Sequence, residues 1–178
     1  MNVTPLIGMP NTAYLVLRPF QIADAEMLFH WKNDPVTRAN SGHTDVVPWE
    51  VHRNWFYGIL LDPKGKILRI AEIYGMPVGF VRTAAHDDGR TEVHYTVSPV
   101  FRGMGVGKTM VKKFVDHLIA TSFIPGVSGL VLPIKQGNER SEKIAASLGL
   151  IAHMHTAIIV TEGEPPIIEW AEAEASDA

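Results

Sequence analysis

Arg102-Gly-Met-Gly-Val-Gly-Lys-Thr109 sits between an apolar run that stops at Pro99 and an amphipathic stretch from Val106 to Ala120. The stretch ends in Gly107-Lys108-Thr109, as a nucleotide P-loop would. That motif needs its first glycine where Arg102 stands, so the cradle for a nucleotide triphosphate is not specified. It also fails the dinucleotide pattern, which requires glycine at Lys108 or at Met110. What remains is Arg102-x-x-Gly105-x-Gly107 between a strand and a helix. Glycines let successive backbone N–H groups converge on one point, and the helix that follows adds its positive end. A pyrophosphate is the natural guest.

Working outward, Met110, Phe114 and Leu118 recur every four residues beside Val111, Val115 and Ile119, the pattern of a helix with one buried face. Upstream, Lys66 to Ile73, Val78 to Thr83 and Thr91 to Ser98 read as strands. The turns between them are Tyr74-Gly-Met-Pro77 and Asp87-Asp-Gly89, and such tight connections predict an antiparallel meander. Asp62-Pro-Lys-Gly65 is a further turn ahead of it. Tyr14 to Arg18 is a first strand, and Ile22 to Asn33 a helix ended by Asp34-Pro35. A second helix starts near Pro48, with Val51, Trp55 and Ile59 on one side. Downstream come a short strand at Leu130 to Leu132, a helix from Asn138 to Leu148 with Gly149 as its cap, and a closing hairpin. The hairpin joins Ile151–Val160 to Ile167–Trp170 over Gly163 to Pro166. The order β-α-α-β-β-β-α-β-α-β-β is a mixed α/β (α+β) layer fold with a largely antiparallel sheet flanked by helices.

With 178 residues the chain is expected to be a single domain, 1–178, with its core at 13–170 and fraying ends. Hydrophobic residues make up 46% and charged residues 20%, an ordinary globular balance. The net charge of −3 argues against nucleic acid as partner, and the absence of cysteine excludes disulfides, thiolate metal sites and cysteine nucleophiles. The absence of cysteine also fits a reducing compartment. No run is long and apolar enough to predict a membrane span, and the first residues do not read as a secretory signal, so a cytoplasmic location is expected. His153-x-His155 places two imidazoles on one strand face without a third ligand, so no metal is expected. The edge strands of the last hairpin could pair between subunits, making a homodimer possible.

From Tyr14 to Val160 the chain resembles the GNAT superfamily of acyl-CoA-dependent N-acetyltransferases. Tyr95-Thr-Val-Ser-Pro99, the Arg102 to Lys108 loop, and Asn138-Glu-Arg-Ser141 ahead of Leu148-Gly-Leu150 carry the resemblance. It implies acetyl-CoA as acyl donor and direct attack by a primary amine. It also implies that the strand before the loop splays from its neighbour to admit the pantetheine arm. Tyr95, Thr96 and Val97 would offer backbone groups to that arm, with the Val97 N–H polarising the thioester carbonyl. Arg102, Gly103, Met104, Gly105, Val106, Gly107 and Lys108 would hold the pyrophosphate. Asn138 would reach the cofactor, cap its own helix, or do both.

An amine attacks only when deprotonated, so a base is needed. Glu92 stands where relatives carry a catalytic glutamate, and strand alternation puts His94 on the same face. Relatives often carry an acid tyrosine seven residues beyond the asparagine, where this chain has Ala145; Tyr57, Tyr74 and Tyr95 are the candidates to weigh in its place, and the sequence does not rank them. Trp31, Asn33, Arg38 and His52 resemble the acceptor-binding residues of a subgroup that acetylates nucleotide-linked amino sugars, while Trp55 and Phe56 read better as packing. Acetylation of a protein N-terminus, as in ribosomal-protein acetyltransferases, is the alternative acceptor reading. A non-catalytic acyl-CoA sensor is the alternative outside enzymes.

Overall fold

The computed structural model describes residues 8–61, 66–158 and 162–173. The strands are β1 (Leu15–Pro19), β2 (Leu68–Ile73), β3 (Met76–Ala85), β4 (Thr91–Val97), β5 (Leu130–Lys135), β6 (Ile151–Ile158) and β7 (Ile167–Ala171). The helices are α1 (Ala25–Asn33), α2 (Pro35–Ala39), α3 (Trp49–Leu61), α4 (Val106–Ala120) and α5 (Glu139–Ala146). The turn expected at 62–65, the end of the sixth strand at 159–160 and the last residues, 174–178, lie outside the described residues.

The seven strands form one sheet in the order β1-β2-β3-β4-β5-β7-β6. The meander β1 to β4 is antiparallel throughout, and β7 inserts between β5 and β6. Only β4 and β5 run parallel, and their register holds just Thr91↔Leu130 and Glu92↔Val131. Beyond Glu92 the two strands part, leaving a wedge in the middle of the sheet.

Each face of the sheet has its own apolar layer. Met110, Val111, Phe114, Val115 and Leu118 of α4 pack on one face together with Val81, Val93, Leu130 and Leu132. Leu28 and Trp31 of α1 and Phe56 of α3 cover the other face over Leu68, Ile70 and Phe80. Directly paired residues share a face. Arg82, opposite His94, and Glu92, opposite Ala84, therefore look towards the α1/α3 side with Phe80. Val93, Tyr95 and Val97 look towards α4 and α5.

Asp34-Pro35 ends α1, as expected, but it also begins α2, which the sequence reading lacked. The Asp34 side chain accepts from the Thr37 N–H at 3.0 Å and Pro35 occupies the first helical turn, so one dipeptide is both stop and start signal. The helix expected from Ile22 opens with a 3-10 turn, Ile22–Asp24, before α1. There the buried Asp24 is held by Arg18 at 2.7 and 2.8 Å, and Arg18 also grips Glu72 at 2.6 Å. This ion triad ties α1 to β1 and β2.

Candidate active site

Backbone alternation decides what the wedge offers. Ser98 N–H donates to the Val78 carbonyl at 2.9 Å, and a Cβ placed on Gly79 would lie 2.7 Å from the Thr96 oxygen. Thr96 and Ser98 therefore turn their backbone towards β3. Tyr95 and Val97, between them, turn theirs towards the opened gap, where β5 no longer pairs. Of the three residues expected to offer backbone groups, Tyr95 and Val97 are so oriented, and Thr96 has its backbone committed to the neighbouring strand.

The glycine loop forms the mouth of the wedge. Gly103 and Gly105 have φ of +78°, a region open to glycine at little cost. Gly105 is the N-cap of α4 and supplies no side chain to it; the first capping carbonyl bond is Thr109 N–H to Gly105 O at 3.2 Å. The N–H groups of Val106, Gly107 and Lys108 thus lack intrahelical acceptors. Gly107 is needed for a different reason. A Cβ there would meet Ile144 Cδ1 at 3.1 Å and Val97 Cγ2 at 3.2 Å, so its absence lets α4 approach β4 and α5 closely. Uncapped amides at a helix start, reached through a gap between strands, fit a diphosphate with a pantetheine arm. Lys108 is exposed, Val106 is buried, and Met104 packs against the core below the loop.

Arg102 is engaged elsewhere. Its guanidinium holds Asp34 and donates to Thr37 Oγ1 at 2.8 Å, fixing α2 to the loop. From the other lip of the wedge, the buried Lys135 at the end of β5 donates to the Ala39 carbonyl at 2.9 Å and to Glu164 at 2.8 Å. α2 is therefore strapped to both lips. Asn138 caps α5, its side chain accepting from Ser141 N–H at 3.4 Å.

Glu92 and His94 come together on the α1/α3 face, with Nε2 of His94 2.7 Å from Glu92 Oε2. The hydrogen bond to His94 lowers the Glu92 carboxyl below its ordinary range, against the opposing effect of burial. Burial lowers His94, and Arg82 and Lys32 push the same way, while Glu92 opposes them. Glu92 is therefore ionised and His94 neutral near pH 7. An ionised carboxylate only accepts, so Nε2 carries the hydrogen and Nδ1 keeps a lone pair for a proton.

The four expected acceptor residues have structural partners. Trp31 is 8% exposed within the α1/α3 core. His52 is 3% exposed and its Nε2 lies 2.9 Å from the Ala25 carbonyl, among Phe29, Trp49 and Phe56; burial lowers its pKa. These two pack helices and offer almost no surface to a ligand. Asn33 clamps the chain at Val47 through bonds of 2.8 and 2.9 Å. Arg38 donates to the Asn33 and Thr44 carbonyls at 3.2 and 2.7 Å, closing the same loop.

Sequence reasoning missed Lys32, Arg82 and Lys135. Their partners come from distant elements, and only the strand alternation of Arg82 hinted at its place. Among the tyrosines, Tyr57 and Tyr74 are exposed, whereas the Tyr95 hydroxyl is the one buried side-chain polar atom among the described residues without a hydrogen-bond partner. Burial pushes it up to about 12, although Ser141 of α5 is near enough to favour the phenolate. Among the described residues no three His, Cys, Asp or Glu side chains gather as a metal site, and no helix is long and apolar enough to cross a membrane.

The fold recurs in known acetyltransferases. An acetyltransferase of Salmonella typhimurium, yncA, solved with acetyl-CoA, superposes with a TM-score of 0.68 at 18% identity, covering 89% of this chain and 92% of that one. RimL, a ribosomal L7/L12 α-N-protein acetyltransferase solved with coenzyme A, gives 0.72 at 15% identity over 92% and 96% of the two chains. A spermidine N-acetyltransferase of Vibrio cholerae, solved with CoA and spermine, gives 0.74 at 12% over 89% and 94%. At such identities the likeness shows the fold alone. No curated protein matches at the level of sequence. The family model for the acetyltransferase (GNAT) domain matches residues 14–151, spanning the meander, the wedge and the glycine loop. This chain therefore belongs to the GNAT acetyltransferases, enzymes that transfer an acetyl group from acetyl-CoA to an amine nitrogen.

Proposed function

We propose that the chain acetylates the primary amine of a nucleotide-linked amino sugar by direct attack, with Glu92 and His94 as its proton-accepting pair. The observation that carries the proton-accepting pair is the 2.7 Å bond between them on the sheet face opposite α4. Acetyl-CoA supplies an activated acyl carbon. The uncapped amides of Val106, Gly107 and Lys108 would hold its diphosphate, and the Val97 N–H would polarise its carbonyl from the gap side. On the other face, Nδ1 of His94 takes the amine proton, and Glu92 steadies the imidazolium that results. The sugar-linked acceptor keeps no support from Trp31 or His52; the positive charge around His94 supports it instead.

Ala145 is buried, and no tyrosine stands there to meet the leaving thiolate. The Tyr95 hydroxyl is the replacement we assign. Held near 12, it remains a hydrogen-bond donor at working pH. That value lies well above a thiol's ~8.5, so it would stabilise the thiolate by hydrogen bonding and keep its own proton. Tyr95→Phe is expected to lower kcat about tenfold, the loss of ~1.4 kcal/mol from one bond to a charged group. An unchanged kcat would mean that the thiolate leaves without it.

The acceptor reading is tested by following free CoA with acetyl-CoA and a panel of UDP-linked amino sugars and basic peptides. Faster release with the sugars is expected. Preference for peptides would transfer the assignment to protein N-termini, and acetyl-CoA binding with no release on either set would leave an acyl-CoA sensor.

A further inference from the structure

Two cations stand beside His94 with one ionised carboxylate, Glu92, for the two of them and no direct ion pair among the described residues. Lys32 reaches in from α1, which packs on β4, and Arg82 sits directly across the β3–β4 ladder from His94. Both are half-buried. The Lys32 ammonium donates to Ser41 Oγ at 3.3 Å, and Arg82 Nη1 to the Thr83 carbonyl at 3.4 Å, both long bonds to neutral groups. Neither forms an ion pair among the described residues. Of the nearby carboxylates, Asp34 is bonded to Arg102, and Glu92, bonded to a neutral His94, leaves a single negative charge facing the two cations. Burial lowers the pKa of Lys32, and Arg82 lowers it further by repulsion.

Two cations against one carboxylate leave a positive charge unbalanced at a half-buried point, which is unfavourable unless something else supplies negative charge. The fold supplies only Glu92 for two cations here, whereas Arg18 alone is given two carboxylates. We infer that Lys32 and Arg82 form a receptor for an oxyanion carried by the acceptor, a phosphate or a carboxylate placed close to its reacting amine. This rests on the acetyl-transfer reading and sharpens it. The acceptor is zwitterionic or anionic near its amine, and polycationic amines are repelled from the base.

The test compares CoA release from matched acceptors: a neutral amino sugar, its sugar phosphate, a UDP-linked amino sugar, an α-amino acid and spermine. The oxyanion-bearing acceptors are expected to exceed the neutral amino sugar at least tenfold in kcat/KM, with the phosphate and carboxylate arms showing which anion is read. In Arg82→Gln and Lys32→Met the ratio of anionic to neutral acceptor should fall at least tenfold. A merely structural role would depress both acceptors alike and leave the ratio unchanged, which would overturn the inference. So would spermine or the neutral sugar matching the anionic acceptors in the wild-type protein. Absence of CoA release with every acceptor would overturn the acetyl-transfer reading first, and a calorimetric titration with acetyl-CoA shows whether donor binding has survived.

Discussion

Gly105→Glu should weaken acetyl-CoA binding about 100-fold, or ~3 kcal/mol, in a calorimetric titration. Two effects act in the same direction. The substitution places a carboxylate at the N-cap of α4, where the uncapped amides of Val106, Gly107 and Lys108 converge. It also forces a side chain onto a backbone with φ of +78°, which costs about 1–2 kcal/mol for a residue with a Cβ. No neighbour lies within 4 Å of a Cβ built there, so the fold should survive at somewhat lower stability. Gly105→Ala separates the two effects: it carries the backbone cost without the charge and should bind more tightly than Gly105→Glu. Equal affinity in wild type and Gly105→Glu would show that the diphosphate is held somewhere else.

The base pair is exposed to a comparably large test. His94→Asn should lower kcat about 100-fold or more, the usual contribution of a positioned base, with little change in acetyl-CoA affinity. The pH dependence carries more information than the size of the loss. In the wild type, kcat/KM should fall as pH drops through the His94 pKa, which burial holds below the ordinary 6.5. Glu92 raises that pKa, so Glu92→Gln should move the acid limb to still lower pH while reducing the maximum rate. His94→Asn should remove the limb. An acid limb unmoved by Glu92→Gln and retained in His94→Asn would assign proton transfer to another group. Stability should follow the same sign. Below pH 6.5 the unfolded chain binds a proton that folded His94 resists, so the native state loses ground as pH falls.

Much of the fold was legible because its signals are local. The four-residue recurrence of Met110, Phe114 and Leu118 fixed α4 at Val106–Ala120 as observed, and Gly149 shows the positive φ expected of a helix cap. The meander followed from turns whose residues dictate their geometry. The pairing of Glu92 with His94 followed from strand alternation alone. The acceptor side was read less well. Trp31 and His52 were weighed as binding groups because aromatic rings and imidazoles do such work, yet the same groups serve equally well to pack two helices. α2 was lost because Asp34-Pro35 was given one meaning, when a capping aspartate and a proline also open a helix.

The amino-acid order by itself determined the glycine-lined mouth, the strand that leads into it and the face on which Glu92 and His94 stand, since each depends on φ preferences or on a period of two or about four residues. The splay itself is implied by the family resemblance, but the tertiary structure decided that β4 and β5 part after Glu92 and that the backbone of Tyr95 and Val97, not that of Thr96, faces the gap. It alone strapped α2 to both lips through Arg102 and Lys135, and set Lys32 and Arg82 beside the base. Those features depend on partners far apart along the chain, and charge balance at a buried point is known only when every neighbour is in place.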